Sequence, residues 1–369
     1  MIPRTTPWPL IAALYVTGLL AGAQFSKVSL TLEGLAGVYP GWTVAFAVSG
    51  VAVMGVLFGV FAGGITASIG PRRAILIALG ISGLAGAAEA LLPPFPVLMA
   101  LRVVEGAGHL LLVVAVPTLM AGLASDTDRP MVMGIWATFF GVGFAIAALL
   151  VGDAGPGLVY AVHAAGMGAM LALLSWILPK GVVTVRRPLP RLSDHLLIYS
   201  TPRLFAPGLG HGIYAALFLA LVTFLPAAFE APWLAAVLPL AGIAGSFAAG
   251  VMARFIAPGT LVWTGFVTMA VMFTVTYVSG PYAIYVLIPA MLVSGIIAGA
   301  GFAAVPWLNA ADDDRALSNG ALAQLGNIGT FSGTPVFAAI AVGAYLPVTI
   351  GICVLAALVT GLAYRAARR

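Results

Sequence analysis

Three ionisable residues, Arg102, Glu105 and His109, interrupt the apolar stretch 98–118, which is long enough to cross a bilayer. An α-helix turns once in about 3.6 residues, so the three side chains share one stripe, with Glu105 one turn from each of the others. A charge at the centre of a membrane helix costs about 2.5–3.5 kcal/mol, so such side chains face a protein interior or a wet cavity and pair there. In one interpretation Arg102 attracts an anionic group or holds Glu105 ionised, while Glu105 and His109 exchange a proton. In the other, Arg102 and Glu105 form a static pair that only packs the helix.

An internal repeat relates the two halves of the chain. The acidic turn at 125–134, SDTDRPMVMG, has the same spacing of Asp, Arg and Gly as 311–320, ADDDRALSNG. The Gly-Ala-Gly at 106–108 recurs at 299–301, and an apolar run to a proline follows each copy. Repeated spacing at two related sites indicates a duplication.

The duplicate helps to separate the two interpretations of the charged stretch. With the glycines aligned, Arg102 falls on Gly295 and Glu105 falls on Ala298. Helix packing at this position therefore does not require the ion pair, which favours a functional role.

The composition places the chain in a membrane. Of its 369 residues, 62% are hydrophobic and 7% are charged, whereas soluble domains have about 25% charged residues. The net charge of +5 would suggest nucleic acid binding in a soluble chain, but here it is a topology signal. The single cysteine, Cys353, excludes an intramolecular disulfide, and no GxxxxGK[ST] phosphate loop occurs. We expect no metal, no cofactor and no catalytic residue.

The apolar runs predict twelve transmembrane helices, six in each half. Both copies of the acidic turn fall on the same side, so the two six-helix bundles are parallel, as in a two-bundle transporter. The predicted spans are 8–26, 42–66, 73–92, 96–121, 131–152, 157–178, 204–228, 232–254, 259–279, 282–306, 316–341 and 344–364.

The predicted domains are an N-terminal bundle, 1–179, a cytoplasmic linker, 180–203, and a C-terminal bundle, 204–369. The basic run of the linker suits anionic lipid headgroups, and ordinary positive-inside bias explains it equally well.

The first span resembles a cleavable signal peptide, but we expect it to be retained because its loss would break the symmetry of the two halves.

The positions of Lys and Arg predict that both termini are cytoplasmic. The turn that contains Arg72 and Arg73 then lies inside, and Lys27 is the one basic residue outside, in a loop shared with Glu33. Glu89, close to two prolines, is expected to reach the membrane interface.

The two acidic turns have a capping and a gating interpretation. Asp128 and Asp314 lie where an N-cap belongs, and carboxylates are favourable at helix N-termini. Capping leaves Asp126, Asp312 and Asp313 unexplained, so we predict a cytoplasmic gate. Its residues are Asp126, Asp128, Arg129, Asp312, Asp314 and Arg315.

Two motifs resemble those of the major facilitator superfamily of secondary transporters, and the resemblance covers essentially the whole chain. Arg102 through Gly106 resembles the fourth-helix signature, an Arg followed three residues later by Gln or Glu and then Gly. The turn between spans two and three resembles a second signature through Gly63, Gly70, Arg72 and Arg73. Ala67 and Ser68 replace the Asp and Arg of that signature. The charge lock that the Asp supplies in the family is therefore absent.

The resemblance implies a twelve-helix fold in which the first, second, fourth and fifth helices of each half line a cavity. Spans four and eleven, the latter with GALAQLGNIGTFSGTP, resemble the cyanate-permease-like branch. His163, on a peripheral helix of this fold, is expected to have no role. Further candidates for substrate contact or gating are His211, Gln324, Asn327, Trp136, Tyr15 and Tyr214.

The sequence thus predicts a secondary active transporter, not an enzyme, for a small organic anion or zwitterion, working by alternating access and driven by protons. We expect a monomer in the bilayer of a bacterial inner membrane, without nucleic acid partners. Two alternatives stay open: a lipid-modifying membrane enzyme that holds a metal on Asp312, Asp313 and Asp314, and a non-transporting membrane sensor.

Overall fold

The chain is helical throughout the part that the structure describes. The computed structural model describes residues 5–125, 127–180 and 192–368, with the backbone alone at 67, 130, 192–194, 281, 312 and 313. No β-strand occurs within these ranges. Asp126 and most of the predicted linker lie outside them.

Two compact units make up the chain, Met1–Leu189 and Pro190–Arg369, and their division falls inside the predicted linker. The helices of the first unit are α1 Trp8–Ser29, α2 Leu32–Val38, α3 Ala45–Ser49, α4 Val53–Phe58, α5 Ala62–Ile69, α6 Pro71–Glu89, α7 Phe95–Leu123, α8 Arg129–Ala137, α9 Phe139–Val151 and α10 Pro156–Ile177. The helices of the second unit are α11 Leu192–Ser200, α12 Pro202–Ala228, α13 Leu234–Met252, α14 Pro258–Val278, α15 Ala283–Leu308, α16 Asp312–Ala338 and α17 Tyr345–Ala366. Single 3-10 turns occupy Gly50–Ala52, Gly280–Tyr282 and Val342–Ala344.

Eight of the described helical stretches are long and apolar enough to cross a membrane: α1, α7, α10, α12, α13, α14, α15 and Val342–Ala366, which includes α17. The pair α8 and α9, bent by 48°, makes a ninth if it is one span. The other three predicted spans contain α3 to α5, α6 and α16. These are helical, but the first is broken, the second has two arginines in its first turn and the third is rich in polar residues. The prediction of twelve spans is supported only in part.

Proline and glycine set several helix boundaries. Helices α6, α10, α12 and α14 begin with a proline. Proline has no backbone N–H, but an N–H at the first helical position has no acceptor within the helix, so no hydrogen bond is lost there. Gly70, between α5 and α6, has φ of 86°, a left-handed value that side chains disfavour. The turn between these helices therefore depends on glycine.

Helix α7 lies close against its neighbours at two of its three glycines, Gly106 and Gly108. A Cβ on Gly106 would overlap the carbonyl oxygen of Val51, and a Cβ on Gly108 would overlap the hydroxyl of Ser82. Small residues at such crossings let helix backbones approach in a membrane. They bring α7 against both the broken second span and α6.

The apolar core of the first unit is formed by α1, α6, α7 and α10. Leu14, Leu79, Leu112 and Leu174, one from each helix, are fully buried in it. This packing fixes the four helices side by side, so polar residues further along them are held in one place.

Two predictions about charged residues are wrong. Lys27 was expected in an exterior loop, but α1 continues to Ser29 because no helix-breaking residue follows Gln24, and Lys27 is 2% exposed. Glu89 was expected at the interface, but it is the last residue of α6 and is fully buried. Both side chains point into the first unit because they find charged partners there.

Candidate functional site

Four charged side chains meet inside the first unit, and we call them the charge quartet: Lys27, Glu89, Arg102 and Glu105. Lys27 Nζ lies 2.8 Å from Glu89 Oε2 and 2.8 Å from Glu105 Oε1. Arg102 Nη1 lies 3.5 Å from Glu89 Oε2 and also donates to Oε2 of Glu105, one helical turn away. Each cation therefore faces both carboxylates, and α1, α6 and α7 are joined by charge.

Burial makes the balance of the quartet important. None of the four side chains is more than 2% exposed. A buried ion loses several kcal/mol of solvation, which is offset only by close opposite charges and by further hydrogen bonds. Two cations and two ionised carboxylates give a net charge of zero, so the quartet meets this condition only when it is complete.

Arg102 directs each of its nitrogens at a protein oxygen. Besides the Nη1 contacts, Nε donates to the carbonyl of Ala47 at 2.8 Å, and Nη2 donates to the carbonyl of Gln24 at 2.8 Å. Gly50 makes room for this side chain, since a Cβ there would lie 3.1 Å from Arg102 Cβ. Arg102 thus links α3, α1 and α7 and has a fixed orientation.

The second unit shows what this crossing looks like without charge. At Gly295, the position that the repeat aligns with Arg102, a Cβ would overlap the carbonyl oxygen of Gly242 on α13. The arginine of the first unit reaches the corresponding helix through a hydrogen bond, whereas the glycine of the second unit brings the backbones into contact. The two helices cross in both units, so the arginine is not needed to form the crossing.

His109 does not join the quartet directly. Its Nδ1 lies 2.7 Å from Gln24 Oε1, an acceptor, so the ring donates there. Gln24 Nε2 in turn donates to Ser82 Oγ at 2.9 Å, and the Phe25 ring packs edge-on against the imidazole with centroids 5.1 Å apart. The predicted stripe of three therefore separates into an ion pair and a neutral amide network.

Sequence reasoning missed four residues of this region: Lys27, Glu89, Gln24 and His163. His163 Nε2 lies 2.9 Å from the carbonyl oxygen of Leu20, and its Nδ1 lies 3.9 Å from Glu105 Oε1. One signal was available, because two carboxylates and one arginine in membrane segments leave a negative charge that calls for a second cation. Lys27, one residue beyond the predicted first span, is the nearest candidate.

The predicted residues of the second unit lie among aromatic and amide groups. The His211 ring contacts Phe302 edge-on with centroids 5.0 Å apart and Tyr214 at 5.5 Å, and its Nδ1 is buried without a hydrogen-bond partner among the described residues. Gln324 Oε1 accepts from the Tyr199 hydroxyl at 2.7 Å, and burial raises the pKa of Tyr199, which keeps that donor protonated. Asn327 Nδ2 donates to the carbonyl of Ala323 in its own helix at 2.8 Å.

Tyr15 and Trp136 pack the first unit. The Tyr15 hydroxyl lies 2.6 Å from Thr138 Oγ1, at the break between α8 and α9. Trp136 is 8% exposed, stacks on Phe139 with centroids 4.5 Å apart and covers Gly18. In this structure both residues fasten α1 to the bent pair.

The two acidic turns make equivalent contacts in the two units. Asp128 Oδ2 accepts from Thr6 at 2.5 Å, just before α1, and Asp314 Oδ2 accepts from Arg203 at 2.6 Å, in the first turn of α12. Each following arginine bonds the end of the preceding long helix: Arg129 Nε donates to the Ala121 carbonyl at 3.0 Å and Arg315 Nε to the Asn309 carbonyl at 2.9 Å.

The capping interpretation is wrong for Asp314. Asp128 is the N-cap residue of α8, but its side chain makes no cap hydrogen bond, and Asp314 is the third residue of α16, whose N-cap is Ala311. The two carboxylates accept instead from neighbouring hydroxyls and from the Arg203 guanidinium. Asp126 and the side chain of Asp312 lie outside the described residues.

The second signature, which contains Gly63, Gly70, Arg72 and Arg73, forms the turn between α5 and α6, beside the end of α10. Arg72 Nη2 donates to the carbonyl of Ser175 at 2.9 Å and Nε to that of Leu178 at 3.3 Å, where the helix dipole favours a cation. Arg73 is exposed, and Gly63 has open space where a Cβ would lie.

The described residues contain no group of three His, Cys, Asp or Glu side chains suited to a metal.

The family model described as Major Facilitator Superfamily matches residues 8–334, most of the chain. This match confirms the resemblance predicted from the two motifs, although it does not single out the cyanate-permease-like branch. Comparison with curated protein sequences gave no significant match.

Solved structures of transporters share the fold over nearly the full chain. An inward-facing, occupied structure of a bacterial homologue of the human lysosomal transporter Spinster is 15% identical, with a TM-score of 0.76 over 99% of this chain and 98% of that chain. The human organic anion transporter MFSD10 is 15% identical, with a TM-score of 0.70 over 95% of this chain and 98% of that chain. The xylose transporter XylE from E. coli, inward open, is 16% identical, with a TM-score of 0.76 over 96% of this chain and 95% of that chain. At such identities the likeness establishes the fold alone.

Proposed function

Because this chain belongs to the Major Facilitator Superfamily, we propose that it is a secondary active transporter that moves a small organic anion or zwitterion together with a proton by alternating access. The observation that carries the proposal is the charge quartet, in which two buried cations face two buried carboxylates. That the chain is a multi-pass membrane transporter and not an enzyme follows from the family and from the apolar helices.

Charge balance couples the proton to the anion in this proposal. The quartet is neutral only while both carboxylates are ionised, because Lys27 and Arg102 contribute two positive charges. Protonation of one carboxylate leaves a buried positive charge without compensation, which is costly. An anionic group of the substrate removes that cost. Proton and anion therefore favour each other's binding, which is the thermodynamic requirement for symport.

Glu89 is the carboxylate to which we assign the proton. Its Oε2 accepts from Lys27, whereas its Oε1 is buried without a hydrogen-bond partner among the described residues. Both oxygens of Glu105 accept hydrogen bonds, one from Lys27 and one from Arg102. We therefore assign Glu105 as the fixed bridge between the cations, in place of the proton exchange with His109 that the sequence suggested.

Lys27 is the cation to which we assign the substrate anion. Arg102 is held by backbone carbonyls as well as by carboxylates, so it keeps its partners when Glu89 is protonated. Lys27 has only the two carboxylates as ion-pair partners among the described residues, with the Tyr160 ring 5.2 Å from its Nζ. Loss of one partner leaves Lys27 the less satisfied cation. The relatives of similar fold include a xylose and an organic anion transporter, so the fold does not select the substrate.

The proposed location is the cytoplasmic membrane of a bacterium, with both termini inside and the chain acting as a monomer. With Lys27 inside α1, the loops predicted to be exterior contain no Lys or Arg. Apart from the buried Lys27 and Arg102, every Lys and Arg lies on the predicted cytoplasmic side. This distribution follows the positive-inside rule more closely than the sequence prediction itself did.

Transport assays in proteoliposomes test the proposal once a substrate is at hand. A thermal-shift screen of small mono- and dicarboxylates and amino acids on the purified chain supplies it, because a ligand that binds the folded state raises the unfolding temperature. Uptake of the best compound is then measured with and without an imposed acid-outside pH gradient. We expect the gradient to drive accumulation in the wild-type chain.

The variant Glu89→Gln separates coupling from transport itself. It cannot release a proton, so we expect substrate counterflow to persist while accumulation driven by the gradient is lost. Glu33→Gln, an exposed carboxylate of the same unit, is the matched control and is expected to retain both. Gradient-driven accumulation in Glu89→Gln would contradict the assignment of the proton, and saturable binding without any flux would contradict transport.

A further inference from the structure

The second unit contains a cavity that has no part in the proposed transport site. It has a volume of about 520 Å³ and lies where α14 begins and where α15 and α17 end. Its walls include the side chains of Trp263, Trp307, Leu358 and Leu362, which are 38%, 39%, 60% and 56% exposed. The cavity is therefore a groove with apolar, outward-facing walls, close to one end of three membrane helices.

Two arginines stand at the mouth of this groove. Arg365, in the last turn of α17, and Arg368, just beyond it, both line the groove and are exposed. The Arg368 guanidinium lies 5.6 Å from the centroid of the Trp307 ring. No described carboxylate pairs with either arginine, unlike Arg203, which pairs with Asp314. Within the described part of the chain, these two positive charges have no carboxylate partner.

Tyr364 and the start of α14 are two further polar features of the groove. The Tyr364 hydroxyl is buried without a hydrogen-bond partner among the described residues, although the side chain lines the groove and is 3% exposed. Gly259 also lines the groove, as the second residue of α14, where the N-cap Ala257 makes no side-chain cap hydrogen bond and its carbonyl accepts from the N–H groups of Thr260 and Leu261. The dipole of α14 also favours a negative charge at this helix N-terminus.

We propose that this groove binds one anionic phospholipid, with the headgroup phosphate between Arg365 and Arg368 and an acyl chain along Trp263 and Leu358. Charge complementarity selects the headgroup, since two unpaired arginines attract a negative charge at the membrane surface. The apolar walls select a lipid over a free anion, because a soluble phosphate leaves them uncovered. The site is separate from the charge quartet, which lies in the other unit.

Quenching of tryptophan fluorescence tests this site directly, because Trp263 and Trp307 line it. The full chain in detergent is titrated with phosphatidylglycerol brominated on its acyl chains, and in parallel with brominated phosphatidylcholine. We expect phosphatidylglycerol to quench at lower mole fraction. Each arginine near the surface contributes roughly fivefold in affinity, so Arg365→Gln with Arg368→Gln reduces the preference about 25-fold.

Matched variants make the result specific. Arg254→Gln, an exposed arginine outside the groove, is expected to keep the preference, and so is Arg365→Lys with Arg368→Lys, which retains both charges. Trp263→Phe with Trp307→Phe is expected to remove the lipid-specific quenching. Equal quenching by the two lipids, an equal loss in Arg254→Gln, or specific quenching that survives the tryptophan replacements would overturn the site. Displacement of the lipid by soluble glycerol phosphate would show a free-anion site instead and would also overturn it.

Discussion

Lys27 and Glu89, which are 62 residues apart in the chain, form an ion pair of 2.8 Å in which neither side chain is more than 2% exposed. The pair joins the end of α1 to the end of α6 and completes the charge balance that Arg102 and Glu105 begin. It turns a local i, i+3 pair into a network that spans three helices.

The first prediction concerns the energetics of this pair. Lys27→Met leaves an uncompensated buried carboxylate, so we expect the free energy of unfolding to fall by about 3–5 kcal/mol. Lys27→Met with Glu89→Gln restores neutrality and is expected to recover most of that loss. Denaturation of the purified chain in detergent, arranged as a double-mutant cycle, measures the coupling. Additive effects of the two changes would contradict the network.

The second prediction separates His109 from proton coupling. His109→Ala removes the partner of the Gln24 amide, so we expect a loss of about 1–3 kcal/mol in stability. Since the ring contacts no carboxylate among the described residues, gradient-driven accumulation is expected to remain. Proteoliposome uptake with and without a pH gradient provides the measurement. If accumulation disappears while counterflow persists, His109 carries the proton after all.

The third prediction concerns the close contact of α7. Gly106→Ala places a methyl group against the Val51 carbonyl, and the helices must separate, so we expect destabilisation of about 1–3 kcal/mol. Gly122→Ala, on the same helix with open space around it, is the control, and there we expect no loss. Thermal unfolding of both variants in one detergent makes the comparison. Equal unfolding temperatures would show that the contact relaxes without cost.

The fourth prediction tests the gate assigned to the acidic turns. Asp314→Asn weakens the pair with Arg203, whose side chains are 28% and 40% exposed, so the stability change is expected to be below about 1 kcal/mol. If the turn acts as a gate, the rate of counterflow changes nonetheless. Asp153→Asn, another exposed carboxylate, serves as the control for a general effect of lost charge. An unchanged rate in Asp314→Asn would leave the turn with a structural role only.

Local patterns predicted much of the fold and part of the site. The helical stripe through Arg102 and Glu105 identified the ion pair, since both residues lie on one helix and their spacing fixes their distance. The repeat identified the neutral counterpart at Gly295, where the structure places a backbone contact.

The missing half of the quartet depends on contacts between distant helices. Lys27 and Glu89 lie near the ends of their helices, where sequence alone favours a loop or an interface position for a charged residue. Only the packing of α1, α6 and α7 shows that each has a buried partner of opposite charge. For the same reason the breaks within the second and fifth spans were not predicted, because their positions depend on the neighbouring helices.

Helix α1 is fastened near both of its ends to the same unit. Before its first turn Thr6 donates to Asp128, and near its last turn Lys27 bonds Glu89 and Glu105. Because α1 is bonded to its neighbours near both ends, it cannot shift along its axis or tilt independently of them. Any reorientation of α1 during a transport cycle must therefore be a rigid-body motion shared with α6 and α7, unless protonation first breaks the ion pairs of Lys27.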